Sequence, residues 1–402
     1  MIVGIIGAGA AGMAAALAAA ENEKVQVILL ERQARVGRKL LATGNGRCNL
    51  TNLNAGSGGY HGEDPEFSSC AIQAFDPQMT LEWFAKLGLC TVAEQTGRIY
   101  PYSDQANSVV DVLRLALEKE NIQLETGFEV QKIRKETDGF TLYGPESAVF
   151  CHRLIVACGG LAGTKLGGSM AGYKLLSKLG HRSTKLRPAL VQLRCGWGGI
   201  VSLKGVRANC HVQMLHDDTI FAESTGEIQF TEYGISGPVV FETSRDVCQG
   251  PGSWKAKLDF MPQWGEVQLL QELQRRASTT LPVEELLTGL IHNRLGRMLT
   301  RCAGVKGSGL VKELTDAQLQ AVAQCVKAFQ LELTEPLGMD SAQVTAGGVI
   351  TDGFDPNTME SKLVPGLYAC GEVLDVDGDC GGYNLQWAWS SGRCAGIHAG
   401  KE

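Results

Sequence analysis

The sequence predicts an α/β protein in which a Rossmann-like dinucleotide-binding domain is interrupted by an insertion of short antiparallel strands and helices. Three observations predict it. Residues 2–31 read as strand, glycine turn, helix, strand and acid. From about residue 344 onward, strands again stop at glycines and a long helix closes the chain. Between them, from about Pro188, the texture changes to short alternating strands and then to helical periodicity.

The opening run Ile2–Ile6 is apolar throughout, as a parallel strand buried on both faces must be. Gly7-Ala8-Gly9-Ala10-Ala11-Gly12 then supplies G-x-G-x-x-G. Gly7 permits the tight turn, Gly9 lets backbone approach a pyrophosphate, and Gly12 lets the helix lie close to the strand. A helix over residues 10–20 aims its first N–H groups at the phosphates. The strand 25–30 follows. Glu31 falls where a carboxylate chelates both ribose hydroxyls of an adenosine.

The loop over residues 37–52 holds Arg38, Lys39, Thr43, Gly44, Asn45, Gly46, Arg47, Cys48 and Asn49. Its glycines, cations and amides cannot form a core, and they suit a wrapping around an anionic ligand rich in hydrogen-bonding groups. Residues 79–87 and 108–118 have helical spacing of apolar side chains, with a turn-rich strand over 97–103 between them. Residues 123–132 and 139–143 alternate like strands. Residues 154–160, Leu154-Ile155-Val156-Ala157-Cys158-Gly159-Gly160, read as a short buried strand ending in a glycine pair, the shape of a strand that stops at a ligand.

The insertion reads as strands over 191–193, 206–215, 219–222, 226–230, 239–242 and 254–260, an antiparallel sheet or barrel. Helices follow over 267–276, 283–301 and 316–327, the last capped by Thr315 or Asp316. A strand over 330–334 precedes Pro336. Glycine-rich strand ends then return over 344–349 and 366–372. Gly381-Gly382-Tyr383-Asn384-Leu385-Gln386 opens a helix running to about His398.

Composition limits the functional classes. With 402 residues, 44% hydrophobic and 20% charged, the chain can bury a large core. A net charge of −6 gives no basic footprint for nucleic acid. The apolar start lacks a cationic leader and carries a cofactor turn, so neither a signal peptide nor a membrane span is expected. The 13 cysteines are therefore expected in the reducing cytoplasm. None forms C-x-x-C, none pairs with histidine at zinc spacing, and no metal site is expected. The histidines 61, 152, 181, 211, 216, 292 and 398 are dispersed, without an evident carboxylate partner.

The carboxy-terminal segment resembles the second flavin fingerprint of the glutathione reductase superfamily: a strand over 367–370, then Gly371-Glu372, then a glycine pair opening the last helix. The resemblance implies that the acid bonds the ribityl chain and that the helix start faces the flavin pyrimidine. A positive helix end there stabilises the negative charge of a reduced flavin. More narrowly, the chain is similar to a bacterial NAD(P)/FAD-dependent oxidoreductase family that includes aminoacetone oxidases and the bile-acid 3-dehydro-4,6-reductase. The matching stretches are GRKLLATGNGRCNLTN (37–52), GRIYPYS (97–103), GEIQFTEYGISGP (226–238), TAGGV (345–349) and residues 366–396. Lys24 stands where a glycine often precedes the second strand, and Glu372 where the superfamily usually has Asp.

That resemblance implies FAD as cofactor and three domains: FAD-binding (1–188 and 343–402), an inserted β-barrel (189–264 and 329–342) and a helical domain (265–328). It implies cofactor contacts from Gly7, Gly9, Ala10, Ala11, Gly12, Glu31, Arg32, Arg38, Lys39, the residues 43–49 named above, Val130, Cys158, Gly159, Gly160, Gly371, Glu372, Gly382, Tyr383, Asn384, Leu385 and Gln386. Arg98, Tyr100, Tyr383 and Trp387 are its substrate-side candidates. The disulfide reductases of the superfamily use two cysteines about five residues apart, but Leu53 holds that position after Cys48, so thiol–disulfide exchange is not expected. Cys48 reads as a packing residue.

No second strand–G-x-G-x-x-G–helix unit exists for a nicotinamide donor. NADH or NADPH would dock without its own Rossmann domain, or a substrate would supply electrons that oxygen removes; the residues leave both open. The favoured activity is hydride transfer between flavin N5 and a small molecule, reducing an activated C=C bond. Amine oxidation by oxygen is the alternative, and a flavin sensor or RNA-modifying flavoprotein the remote one. Oligomeric state is left open.

Overall fold

In the computed structural model, which describes residues 1–401, Ile2–Ile6 is the central strand, β1, of a five-stranded sheet. Helix α1 (Ala10–Ala19) leads to β2 (Gln26–Glu31), and β3 (Ile122–Thr126), β4 (Arg153–Val156) and β5 (Leu367–Ala369) complete the sheet. The order is β5-β4-β1-β2-β3, with every pairing parallel. Strand β5 arrives from the far end of the chain and pairs with β4 in the register Leu154–Leu367, Ile155–Tyr368 and Val156–Ala369. The carboxyl ends of β1, β4 and β5 therefore lie side by side, where open parallel sheets place their ligands.

The closing helix, α2 (Tyr383–Ala399), packs on α1. Contact is close because small residues face each other: a Cβ on Gly392 would sit 2.4 Å from the Ala11 carbonyl oxygen, and one on Gly396 2.3 Å from that of Ala15. Residues 11–19 of α1 are all buried, so the helix is a core element between sheet and α2. The opposite side of α2 carries Trp389, fully buried edge-on to Phe84, with its Nε1 donating to the Leu50 carbonyl at 2.9 Å.

The chain divides into two compact units, Met1–Pro188 with the residues from Met339 onward, and Ala189–Gly338. The second unit contains a closed six-stranded barrel. Its strands run in the order Leu193–Cys195, Gly234–Ser236, Thr219–Phe230, Arg207–His216, Trp254–Asp259 and Phe329–Pro336, and the last pairs back onto the first. Alternation fills the barrel: Cys210, Val212 and Met214 on one strand and Ala256 and Leu258 on its neighbour are fully buried. Helices Glu266–Ala277, Asn293–Cys302 and Asp316–Lys327 share one apolar core with these strands.

Several local expectations change. Residues 239–242, read as a strand, belong to the helix Pro238–Thr243; Pro238 presets its first turn, and the Thr243 hydroxyl bonds back to the Val239 carbonyl. The expected helix 283–301 is a 3₁₀ turn (Val283–Glu285) and a separate helix, Asn293–Cys302. Gly289 at φ +81° breaks it, and His292 caps the restart. Likewise 123–132 ends its first strand at Thr126, because Gly127 takes φ +75°. Thr315 is the cap of the last insertion helix, in a reciprocal box with Gln318.

Gly392→Val tests the helix contact. Its side chain must push α1 and α2 apart, a cost of about 3 kcal/mol. The expected outcome is a lower urea midpoint by circular dichroism; an unchanged midpoint would show that the contact is loose.

Candidate functional site

The glycine turn after β1 has the geometry its sequence requires. Gly7 stands at φ +103°, and its N–H donates to the Leu30 carbonyl at 2.7 Å. A Cβ on Gly12 would sit 1.8 Å from the Gly7 oxygen, whereas one on Gly9 would meet nothing within 4 Å. Gly12 thus serves strand–helix packing, and Gly9 faces free space at the start of α1. No side chain caps α1, so the amides of its first turn, at Ala10 and Ala11, remain available to an anion.

Glu31 ends β2 beside this turn. Its carboxylate accepts the Ala8 N–H at 2.8 Å and the Gln33 N–H at 2.7 Å, which fixes the group and leaves lone pairs for hydroxyl donors. Around it, Arg32 donates to the Gly167 carbonyl and lies 3.9 Å from Glu129. Arg38 donates to Gln33 at 2.8 Å, and Val130 is buried behind.

The second cluster joins residues far apart in sequence. Lys39 Nζ contacts Glu372 Oε2 at 2.7 Å, and Glu372 Oε1 accepts the Thr345 N–H at 2.9 Å. Gly160 is required here: its Cβ would stand 2.4 Å from Glu372 Oε1 and 2.5 Å from the Thr345 hydroxyl. Gly159 turns with φ +68°. Gly371, at φ +73°, donates its N–H to the Ser391 hydroxyl at 3.0 Å and accepts from Trp387 Nε1 at 3.2 Å. Two side chains of α2 therefore hold the turn that presents Glu372.

The loop after Lys39 is bent by consecutive left-handed residues, Gly44 (φ +55°), Asn45 (φ +57°) and Gly46 (φ +86°), and again at Cys48 (φ +62°). Gly44 and Gly46 take this conformation freely, but at Cys48 it persists only where surroundings over-determine it. Next to it, the buried Asn49 Oδ1 has no hydrogen-bond partner. An orphaned buried amide, two uncapped helix starts and a glycine facing open space form a cradle that fits an elongated dinucleotide.

The remaining candidates divide between surface and interior. Tyr100 is largely buried under the Arg47 guanidinium, 3.9 Å from the ring centre, and Arg47 is itself bonded to Asp104 and to Glu94 at 3.2 Å. Burial raises the Tyr100 phenol above its ordinary range. Arg98 lies against Gly381, whose Cβ would be 2.7 Å from its Nε. Tyr383 begins α2 half-exposed, edge-on to Tyr60 at 5.8 Å. Gly382, at φ +106°, runs along the Thr51 backbone, and Leu385 packs at the edge of the core.

Two expected contacts prove to be interior, Trp387 and Gln386, and a third, Asn384, is half-buried with its side chain committed to the loop before it. Trp387 is 1% exposed, its Nε1 donates to Gly371 and its ring packs edge-on to Phe67 within the core, so it positions the turn instead of facing a substrate. Gln386 is fully buried: its Nε2 lies 2.9 Å from the Phe75 carbonyl and from the Thr80 and Ser390 hydroxyls, its Oε1 accepts from Thr51, and its backbone N–H donates to the Gly382 carbonyl. Asn384 spends its side chain on the backbone of Gly378, at 2.8 and 2.7 Å. Burial pushes the thiols of Cys48 and Cys158 up to about 12; Cys48 is fully buried, whereas Cys158 is half-buried.

Sequence reasoning missed the His61–Asp379 pair, 2.7 Å apart across 318 residues, because nothing local in either segment marks the other. Among the described residues no group of His, Cys, Asp and Glu has the arrangement of a metal site, and no helix is long and apolar enough to cross a membrane.

Comparison with known proteins adds four findings. The family model described as the HI0933-like protein Rossmann domain matches residues 1–398. The chain is 40% identical over 400 residues to the 3-dehydro-bile acid delta(4,6)-reductase of Clostridium scindens, covering 98% of each. It is 33% identical over 390 residues to the ribosomal RNA dihydrouridine synthase of Escherichia coli, covering 96% of this chain and 95% of that one. Among solved structures, the 3-ketosteroid delta1-dehydrogenase of Sterolibacterium denitrificans aligns over 99% of both chains with a TM-score of 0.52 at 12% identity, a likeness of fold.

Thiol labelling checks the packing of this region. At about pH 8 the exposed Cys90 reacts with an aromatic disulfide reagent, while the buried Cys48 stays unmodified until the protein is denatured. Labelled Cys48 in the native peptide map would contradict its burial.

Proposed function

The chain belongs to the HI0933-like Rossmann-domain family and is an FAD-dependent oxidoreductase, and from that premise we propose that it reduces a C=C bond conjugated to a carbonyl in a small organic molecule. NADH or NADPH is the proposed donor and the cytoplasm the proposed location. The observation that carries this reading is the full-length 40% identity to a reductase whose name specifies such a bond. All 13 cysteines are free, in keeping with a reducing compartment.

The chain's own residues supply the holding and the electrostatics. Glu31 takes the ribose hydroxyls, and the amides opening α1 take the pyrophosphate. Lys39 and Glu372 meet the ribityl and phosphate region. The start of α2, with Gly381 and Gly382 lacking side chains, faces the pyrimidine edge, and its dipole favours negative charge there. Bound FAD supplies the two-electron transfer. Arg98, Tyr100 and Tyr383 border the substrate side.

A second reading rests on the 33% identity to a ribosomal RNA dihydrouridine synthase. Dihydrouridine also arises by reducing a C=C bond beside a carbonyl, so the two readings share their bond chemistry and differ in the molecule that carries it. The net charge of −6 favours the small molecule, because RNA binding draws on cationic contacts to phosphates.

Two outcomes test this. Glu31→Ala should hold FAD at least about tenfold more weakly, since charge-assisted bonds to hydroxyls are worth about 1.5–3 kcal/mol; unchanged retention on dialysis would place Glu31 elsewhere. Mixed anaerobically with NADH or NADPH, the yellow protein should bleach, and a 3-oxo-4-ene steroid should restore the colour. Restoration by unmodified ribosomal RNA alone would favour the second reading, and no bleaching by either nucleotide would remove the proposed donor.

A further inference from the structure

One cluster of titratable side chains is not used by the cofactor-holding residues. The strand Tyr60–His61 pairs antiparallel with Asp377–Gly378, directly before the loop that enters α2. This pairing brings His61 Nε2 to 2.7 Å from Asp379 Oδ1. The loop is locked from several sides: the Asp379 N–H donates to the Gly59 carbonyl at 2.9 Å, and Asn384 bonds both backbone groups of Gly378. Gly59, at φ +80°, passes so near that a Cβ there would lie 2.6 Å from the Tyr383 ring and 2.8 Å from the Asp379 carboxylate. Histidine from one segment and aspartate and tyrosine from a second thus meet on one patch.

Their roles differ. Tyr60 spends its hydroxyl on the Ala55 carbonyl. Burial, and then Asp379, oppose ionisation of Tyr383, so its phenol remains a hydrogen-bond donor. His61 is the group able to release a proton. Its side chain is 37% exposed and that of Asp379 49%, so it reloads from water. The other charged or titratable groups around the pair are Asp377, opposite His61 in the strand register, Asp375 and Glu63 beyond Gly62, and Cys380 and Arg98 beside Gly381.

Building on the enone reading above, we propose that His61, oriented by Asp379, is the general acid of the reduction, with Tyr383 bonding the substrate carbonyl. Two electrons from NADH or NADPH reach one alkene carbon as hydride by way of the bound cofactor. The other carbon takes the His61 proton, the C=C π bond is lost, and a saturated ketone leaves. The neutral imidazole recovers its proton from solvent. Asp379 acts through His61 and is a positioning residue.

The test uses FAD-loaded protein, photoreduced so that no nucleotide donor is needed, and mixed with 2-cyclohexen-1-one or with ferricyanide, which accepts electrons without protonation at carbon. His61→Gln should slow reoxidation by the enone about 100-fold or more, the usual range for losing a general acid. Its FAD content and ferricyanide rate should stay at wild-type values. Asp379→Asn should slow the enone step and alter its pH profile, and Asp379→Glu should restore part of the rate.

Nitrogen–proton correlation NMR of the isotopically labelled histidines supplies a readout independent of turnover: the His61 ring signals should move when the flavin is reduced, and less so in Asp379→Asn. Wild-type enone rates in His61→Gln, equal loss with both acceptors, or His61 signals indifferent to flavin reduction would each overturn the proposal. A wild-type protein unreactive toward the enone, with His61 signals that still respond, would count against the enone reading and leave the placement of His61 supported.

Discussion

The close packing of α1 against α2 is the constraint on which the rest of the first unit depends. The two helices come from opposite ends of the chain, and only glycine opposite alanine backbone lets them approach as they do. That contact sets α2 over the sheet at the height where its first residues and the turn after β1 face the same space. A bulkier stripe at Gly392 and Gly396 would move the start of α2, and with it Gly371, Glu372 and Tyr383, by the width of a side chain. In a close-packed interior such a displacement is not absorbed locally.

A buried polar network extends this constraint. Gln386 joins Thr51, Phe75, Thr80 and Ser390 with no exposed surface, and Trp387 and Ser391 fasten the Gly371 turn. Every member is satisfied, so the network fixes one arrangement of α2 against its neighbours instead of costing stability. Residues that looked like ligand contacts because they adjoin a glycine motif are therefore the supports of that motif. The free donors and the orphaned acceptor lie one step outward, on Gly9, the first turns of α1 and α2, and Asn49.

The electrostatics follow the same division. Glu31 and Glu372 are both anchored by backbone N–H groups, and Glu372 is also paired with Lys39, so each carboxylate is held in place before any ligand arrives. Such preorganisation lowers what binding must spend on ordering side chains. The Cys48 thiol, by contrast, is buried and held above its ordinary range, while a half-exposed tyrosine, arginine and histidine gather near the entrance of α2.

Much was legible in the chain alone where the signal is local. The Rossmann turn, the acid ending β2, the alternation of the barrel strands and the Thr315 cap are each fixed by neighbours within a few residues, through φ preferences, periodicity and capping bonds. Where a short apolar stretch suits strand and helix equally, as over Pro238–Thr243, local pattern misled and a proline with tertiary packing decided. The direction of a side chain was never local. Whether Trp387 faces a ligand or the core, whether Lys39 meets Glu372, and whether His61 finds Asp379 depend on which distant segments the sheet order brings together. The sequence by itself determined that a dinucleotide cradle is present and which elements build it. Only the tertiary structure decided which of its residues look outward, because burial and pairing between remote segments are properties of the packed chain.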